Sequence, residues 1–313
     1  MKTITKISVI LVLFTLTLTS YSQQDPMYTH YMNNTLIVNP GYAGSRDALT
    51  ITALHRSQWV GFDGGPSTQT LTAHSPVFNE HTGIGLSVLN DKIGPTNNTS
   101  AFAYYAYRMK LNEKSKLAIG LSGGVNIFQA QLSSLDLDQQ TDPSFQSNIN
   151  NKVTPNFGFG LYYSRERFYA GLSVPYLLQN KYSELLQSDG NTLVAKEQRH
   201  YFFIAGMLFN LSDNLAFKPT TLIKMTPAAP VQADITASFV IAKKLLLGAM
   251  FRTGDSFGTL VGFNVTEQFH IGYSYDWSYG LTTAKYNQGS HEVLLRYDFI
   301  FSSKNQIHSP RNF

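Results

Sequence analysis

The sequence predicts an all-β protein: a transmembrane, antiparallel, up-and-down β-barrel of about fourteen strands with periplasmic termini. Three observations predict it. An export signal opens the chain, period-two alternation fills most of the remainder, and the connections between alternating segments sort by length.

The export signal comes first. Lys2 and Lys6 precede the apolar run Ile7 to Phe14, and Ser20-Tyr21-Ser22 supplies small residues where a signal peptidase reads. The run is shorter than the roughly 20 apolar residues a spanning helix needs. Residues 1–22 therefore read as a signal peptide cleaved after Ser22. An exported chain meets an oxidising compartment, yet this one has no cysteine, so disulfides, thiolate metal sites and cysteine nucleophiles are excluded. Charged residues are 14%, against roughly 25% in soluble domains. The net charge of +4 comes without any Lys/Arg run, which argues against a nucleic-acid partner. After the signal no stretch of 18 apolar residues occurs, which leaves a closed barrel as the structure able to satisfy its backbone in lipid. The 21 Phe, 18 Tyr and 23 Gly suit such a wall; they also suit a secreted β-sandwich, so the strand pattern decides.

The predicted strands are 47–57, 67–78, 82–89, 99–110, 115–128, 154–163, 166–174, 198–211, 214–225, 231–241, 243–253, 255–264, 267–277 and 289–301. In the sixth, Phe157, Phe159, Leu161 and Tyr163 alternate with Gly158, Gly160, Tyr162 and Ser164. In the thirteenth, Phe269, Ile271, Tyr273, Tyr275 and Trp277 alternate with His270, Gly272, Ser274 and Asp276. The last places Val293, Leu295, Tyr297 and Phe299 opposite Arg296 and Asp298. One apolar and one mixed face is what a membrane barrel wall requires. Short turns fall at 79–81, 112–114, 165, 212–213, 242 and 265–266. Longer loops fall at 58–66, 90–98, 129–153, 175–197, 226–230 and 278–288, the short Gly254 link excepted. That sorting is the outer-membrane asymmetry, short turns facing the periplasm. Residues 23–46 then form a periplasmic or lumen-filling segment, broken by Pro26, Pro40, Gly41 and Gly44, residues 47–301 the barrel, and 302–313 a periplasmic tail.

Two groups of residues are candidates for function. The window Arg56 to Gln69 contains Arg56, Gln58, Trp59, Phe62, Pro66 and Gln69 where the first hairpin emerges. It reads as an aromatic girdle with a glycine turn, or as a partner-binding patch on an exposed loop. Arg108, Lys218, Lys224, Arg252 and Arg296 fall on the inward face, since charge in a membrane strand must avoid lipid. They read as a basic lumen for an anion or acidic peptide, or as charges neutralised by Asp234, Asp276 or Asp298. No catalytic motif, cofactor site or metal site is expected. A hydrolase using His270 or His291 remains as a minor alternative.

Several windows carry a resemblance. Gln24 to Met32 (QDPMYTHYM), Asn39 to Ser45 (NPGYAGS), Arg56 to Gln69, Gly83 to Leu86 with Asn90 to Pro95, Gly272 to Asp276 and Gly289 to Glu292 follow in order. With the ending Pro310-Arg311-Asn312-Phe313, the chain resembles the PorP/SprF family of type IX secretion system membrane proteins of Bacteroidetes. Asn312 departs from the family's aromatic at that place, and Gly41 stands where Ala is common. The resemblance implies a non-enzymatic outer-membrane component of secretion and gliding. It would bind, help export or anchor at the cell surface a secreted cargo protein through that cargo's C-terminal sorting domain. Periplasmic ring and motor proteins are the other implied partners, beside membrane lipid. The alternative is an anion-selective porin or an apolar-solute transporter.

Overall fold

The computed structural model describes residues 25–77, 80–135, 148–186, 192–227, 229–279 and 282–300. The expected signal peptide 1–22, the expected tail 302–313 and parts of the two longest predicted loops lie outside them. In chain order the strands are β1 (Leu49–Ser57), β2 (Ser67–Pro76), β3 (Thr82–Ile93), β4 (Thr96–Asn112), β5 (Ser115–Ala130), β6 (Ile149–Arg165) and β7 (Phe168–Val174). A hairpin follows, β8 (Lys181–Leu186) with β9 (Thr192–Lys196). Then come β10 (Tyr201–Met207), β11 (Phe209–Ser212), β12 (Leu215–Met225), β13 (Gln232–Ile241), β14 (Leu245–Arg252), β15 (Ser256–Asn264), β16 (Phe269–Ser278) and β17 (Ser290–Phe299).

Each wall strand pairs antiparallel with the next, and β1 pairs with β17 from Leu49↔Phe299 to Ser57↔His291. β10 joins β7 to β12, and β11 continues it past Leu208, so the wall is a closed barrel of 14 strands. Closure removes the unpaired edge that would otherwise template association. No helix among the described residues is long and apolar enough to cross a membrane.

Alternation sets the two faces. Along β15, Ser256, Gly258 and Leu260 are buried while Phe257, Val261 and Phe263 are exposed. The exposed face is the lipid face, with aromatic clusters toward both rims. Phe209, Phe217 and Phe239 stack near one rim, and Phe251, Phe257 and Tyr279 near the other.

The hydrophobic core lies inside the barrel, around residues 25–48. Tyr28, Tyr31, Met32, Leu36, Val38 and Tyr42 are buried against inward wall residues such as Leu54, Phe102, Tyr162, Ile204, Leu260 and Leu294. One helical turn, α1 (Thr35–Val38), leads into a tighter turn at Pro40–Tyr42. Asn39 caps that turn by accepting from Gly41 N at 2.8 Å, and its amide donates to Leu161 O on β6 at 3.0 Å. The approach is close enough to need glycine in the wall. A Cβ on Gly120 would sit 2.1 Å from Gly41 N, and one on Gly83 would sit 2.1 Å from Ala43 O.

Three expectations need correction. The stretch 90–98 is not a loop: β3 and β4 meet at the two-residue turn Gly94-Pro95, with Gly94 at φ 52°. β4, β5 and β6 likewise reach 17, 16 and 17 residues, taking both ends of the predicted 129–153 loop. Where β3 and β4 extend, residues 90–92 and 96–98 are polar on both faces, with Asn90 donating to Asn97 and Thr99, so no apolar period marks the ladder there. Finally, both termini are expected at the periplasmic turn end, but the described chain begins at the loop end. Phe299 lies at the turn end, but Asp25 contacts Lys224 and His200 at the loop end, because residues 25–48 run the length of the barrel before β1 begins.

Candidate functional site

The lumen is a sequence of charged clusters, each built from inward wall residues and a group of the segment inside it. At the loop end stands Arg56, the penultimate residue of β1, 2% exposed. Its Nη1 donates to Asp276 Oδ2 at 2.7 Å and to Glu292 Oε2 at 3.3 Å. Glu292 accepts the Thr29 N–H at 2.9 Å and the His30 N–H at 2.6 Å, and lies 2.8 Å from His30 Nδ1. Thr29 Oγ1 donates to Asp276 at 2.6 Å. Beside this, Arg252 holds Asp234 through two bonds of 2.9 Å and donates Nη2 to the Tyr28 carbonyl at 3.1 Å. Lys224 donates to the Asp25 carbonyl at 3.2 Å.

The middle is neutral. Tyr31 reaches Thr220 and Thr236, and Asn34 donates to Thr70 and accepts from Thr72. At the turn end Arg46 pairs bidentately with Asp298 at 3.1 and 2.8 Å, and Arg108 holds Asp47 at 2.9 Å and the Gly44 carbonyl. These are buried, charge-assisted bonds, the stronger kind of hydrogen bond.

Two groups outside the strands complete the mouth. His200 Nδ1 lies 2.9 Å from Asp25 Oδ2. Burial pushes the Asp25 carboxyl up, but His200 and Lys224 outweigh it and leave it below its ordinary value. Glu197 is pinned by Asn126 at 3.0 Å and by Asn156 and Asn180 at 2.9 Å, which holds Asn180 and Glu197 against β5 and β6. A cavity lined by Pro26, Tyr28, Val38, Phe202 and Lys224 measures about 20 Å³, room for one water.

All five predicted lumen bases, Arg108, Lys218, Lys224, Arg252 and Arg296, are buried on the inward face. The structure pairs Arg252 with Asp234, and Asp298 with Arg46, a partner that sequence reasoning missed. The six residues of the loop window separate. Arg56 is not on the loop; Thr52, Leu54 and Arg56 share the inward parity of β1, and its partners are inside. Gln69 is on the opposite face of β2, bonded to Ser67 and His55. Gln58, Trp59, Phe62 and Pro66 stay together. Gln58 N donates to Pro66 O, Trp59 and Phe62 meet edge to face at 6.4 Å, and Phe62 is 40% exposed. Val60 N donates to Gly289 O at 2.8 Å and Gln288 N donates to Val60 O at 2.7 Å, strapping this loop to the one before β17. His270 is inward and bonded to Asn264, whereas His291 is on the outer side with Tyr273, so the two histidines do not form one site.

Residues 20–297 match the family described as Type IX secretion system membrane protein PorP/SprF. The chain belongs to that family. Its outer-membrane barrel thus has a secretion-system context, and the windows that carry the resemblance converge inside it. Thr29 and His30 meet Asp276 and Glu292, Asn39 to Gly44 lie on Gly83 and Gly120, and Arg56 joins the first group. Among curated proteins no sequence match is found. Among solved structures the PorP/SprF chain is similar to "CymD monoaromatic hydrocarbon channel", at TM-score 0.49 and 9% identity over 85% of this chain and 92% of that one. It is also similar to an Acinetobacter baumannii outer membrane protein, Omp33, at 0.45 and 10%, over 82% and 100%. The closed strand ladder, not these likenesses, carries the fold.

Proposed function

We propose that this barrel binds a secreted cargo protein at its loop end, holding the cargo's C-terminal domain for export or surface anchoring. The observation that carries the reading is the state of the lumen in a secretion-family barrel. The lumen bases are met by carboxylates and by residues 25–48, so they are not a free basic seat. Binding then falls to the loop end, where Phe62 and Trp59 offer an aromatic patch and the β8–β9 hairpin stands apart from the barrel sheet. An isolated hairpin has edges on which an extended segment can add as a strand, with backbone bonds giving affinity and side-chain pockets selectivity. In this orientation the short turns and the end of β17 face the periplasm, within reach of ring or motor components. Lipid contacts the apolar wall, and no cofactor is required. An open diffusion channel would need residues 25–48 to move first.

The test is affinity capture of the tagged barrel from solubilised outer membranes. Wild type should bring down a secreted protein with a C-terminal sorting domain. Phe62→Ala should lose most of it while the barrel stays folded. Recovery of the barrel alone from wild-type cells would sink the reading.

A further inference from the structure

The segment inside the lumen is held in two different ways. Residues 39–48 are built in: the backbone of 40–44 lies directly on Gly83 and Gly120, the Asn39 side chain lies on Gly160, and the segment continues into β1. Residues 25–30 are held by side chains of the wall. Glu292, fully buried, accepts two successive backbone N–H groups, from Thr29 and His30. Arg252 and Lys224 donate to the carbonyls of Tyr28 and Asp25. Among the described residues, 25–29 make no backbone–backbone hydrogen bond at all. The wall therefore reads main-chain donors and acceptors, groups that every peptide carries. The first described residue, Asp25, lies at the loop end, where withdrawal breaks no strand.

We propose that the loop-end half of the lumen is a binding site for an extended peptide, filled here by the chain's own residues 25–30 and exchangeable for an incoming one. Glu292, Arg252 and Lys224 form the main-chain grip, and Asp276 with Arg56 takes a hydroxyl side chain at the Thr29 position. The incoming segment is the extended end of the cargo, a choice that rests on the function proposed above. The site itself does not depend on that choice.

The probe is a fluorescent peptide with the sequence of residues 24–35, titrated into the purified full-length barrel in detergent. Wild type should bind it weakly, because the tethered segment competes at high effective concentration. The triple variant Asp25→Ala, Thr29→Ala, His30→Ala weakens only the resident segment and should bind the peptide at least about tenfold more tightly. Adding Glu292→Gln should weaken binding by about ten- to a hundredfold, the range for charge-assisted bonds. Lys224→Met is the milder second variant, should Glu292→Gln not fold. A folded triple variant that binds no better than wild type overturns the proposal, as does binding indifferent to both Glu292→Gln and Lys224→Met. Peptide binding without cargo capture would refute the cargo reading and leave the site standing; cargo capture without peptide binding would do the reverse.

Discussion

Gly120→Ala tests whether residues 40–44 are seated on the wall as a fixed element. The added Cβ would lie 2.1 Å from Gly41 N and 2.3 Å from the Pro40 carbonyl carbon, about 1.3 Å inside the 3.4 Å at which ordinary contact begins. Both opposing atoms are backbone, so no side-chain rotation relieves the clash. Gly120 cannot retreat either, since β5 is paired there to Ala106 on one side and to Gly160 on the other. Asn39 ties the opposing turn to β6. Overpacking of this kind costs about 1–3 kcal/mol, and a backbone clash belongs at the upper end. Gly123→Ala, three residues along the same strand, is the control. Its Cβ would meet only the Phe157 ring, at 3.5 Å, and removing glycine's excess unfolded-state freedom should gain about 0.4–1 kcal/mol. Urea unfolding in detergent, read by the fluorescence of Trp59 and Trp277, would separate the two. The cysteine-free chain permits a second readout. Ala43→Cys, fully buried, should resist a maleimide in the wild-type background and label in the Gly120→Ala background. Equal stability of the two alanine variants, with Ala43→Cys protected in both, would refute the seating.

Arg56→Met should lower stability by about 3–5 kcal/mol, because it leaves two buried carboxylates without their cation. Lys110→Met breaks the exposed pair with Glu80 and should change stability by no more than about 1 kcal/mol; urea midpoints check both. Glu197→Ala should speed tryptic cleavage at Lys181 or Arg199 without moving the unfolding midpoint, since its three asparagine bonds hold a loop and not the wall. The Asp25 carboxyl is depressed in the folded chain, so its contribution is complete above the unfolded value of about 3.9 and is lost as pH falls through the lower folded value. Met27→Cys should therefore stay protected from an acid-tolerant thiol reagent at pH 5 and label only below about pH 4. Labelling that already rises at pH 6 would contradict the Asp25–His200 contact.

The strands were legible because lipid imposes a period. Wherever one face meets hydrocarbon and the other the lumen, alternation is compulsory, and β12 to β17 fall close to their predicted ranges. The signal fades where the wall leaves the membrane. In the extension of β4, Asn97 pairs by backbone with Lys92 on one side and Gln129 on the other, so nothing in that polar order distinguishes a ladder from a loop. Loop length is obscured for the same reason: the turn at Gly94-Pro95 sits in a mostly polar stretch whose order does not mark it.

The site was legible only by parity. Counting alternate residues along β1 puts Arg56 inside with Thr52 and Leu54, and the same count puts Asp276 and Glu292 inside. What no periodicity could supply was their partner, because residues 25–48 have neither a helical nor a strand repeat. Two features of the wall point to it nonetheless. Inward glycines at Gly83, Gly120 and Gly160 leave room that a lumen of side chains alone would fill with larger residues. Inward carboxylates and arginines without bulk water need hydrogen bonds that the wall does not complete by itself, as Glu292 shows by taking two main-chain N–H groups from the segment. Glycine seats and unfinished charge clusters on one inner face are thus the sequence trace of a chain segment inside a barrel.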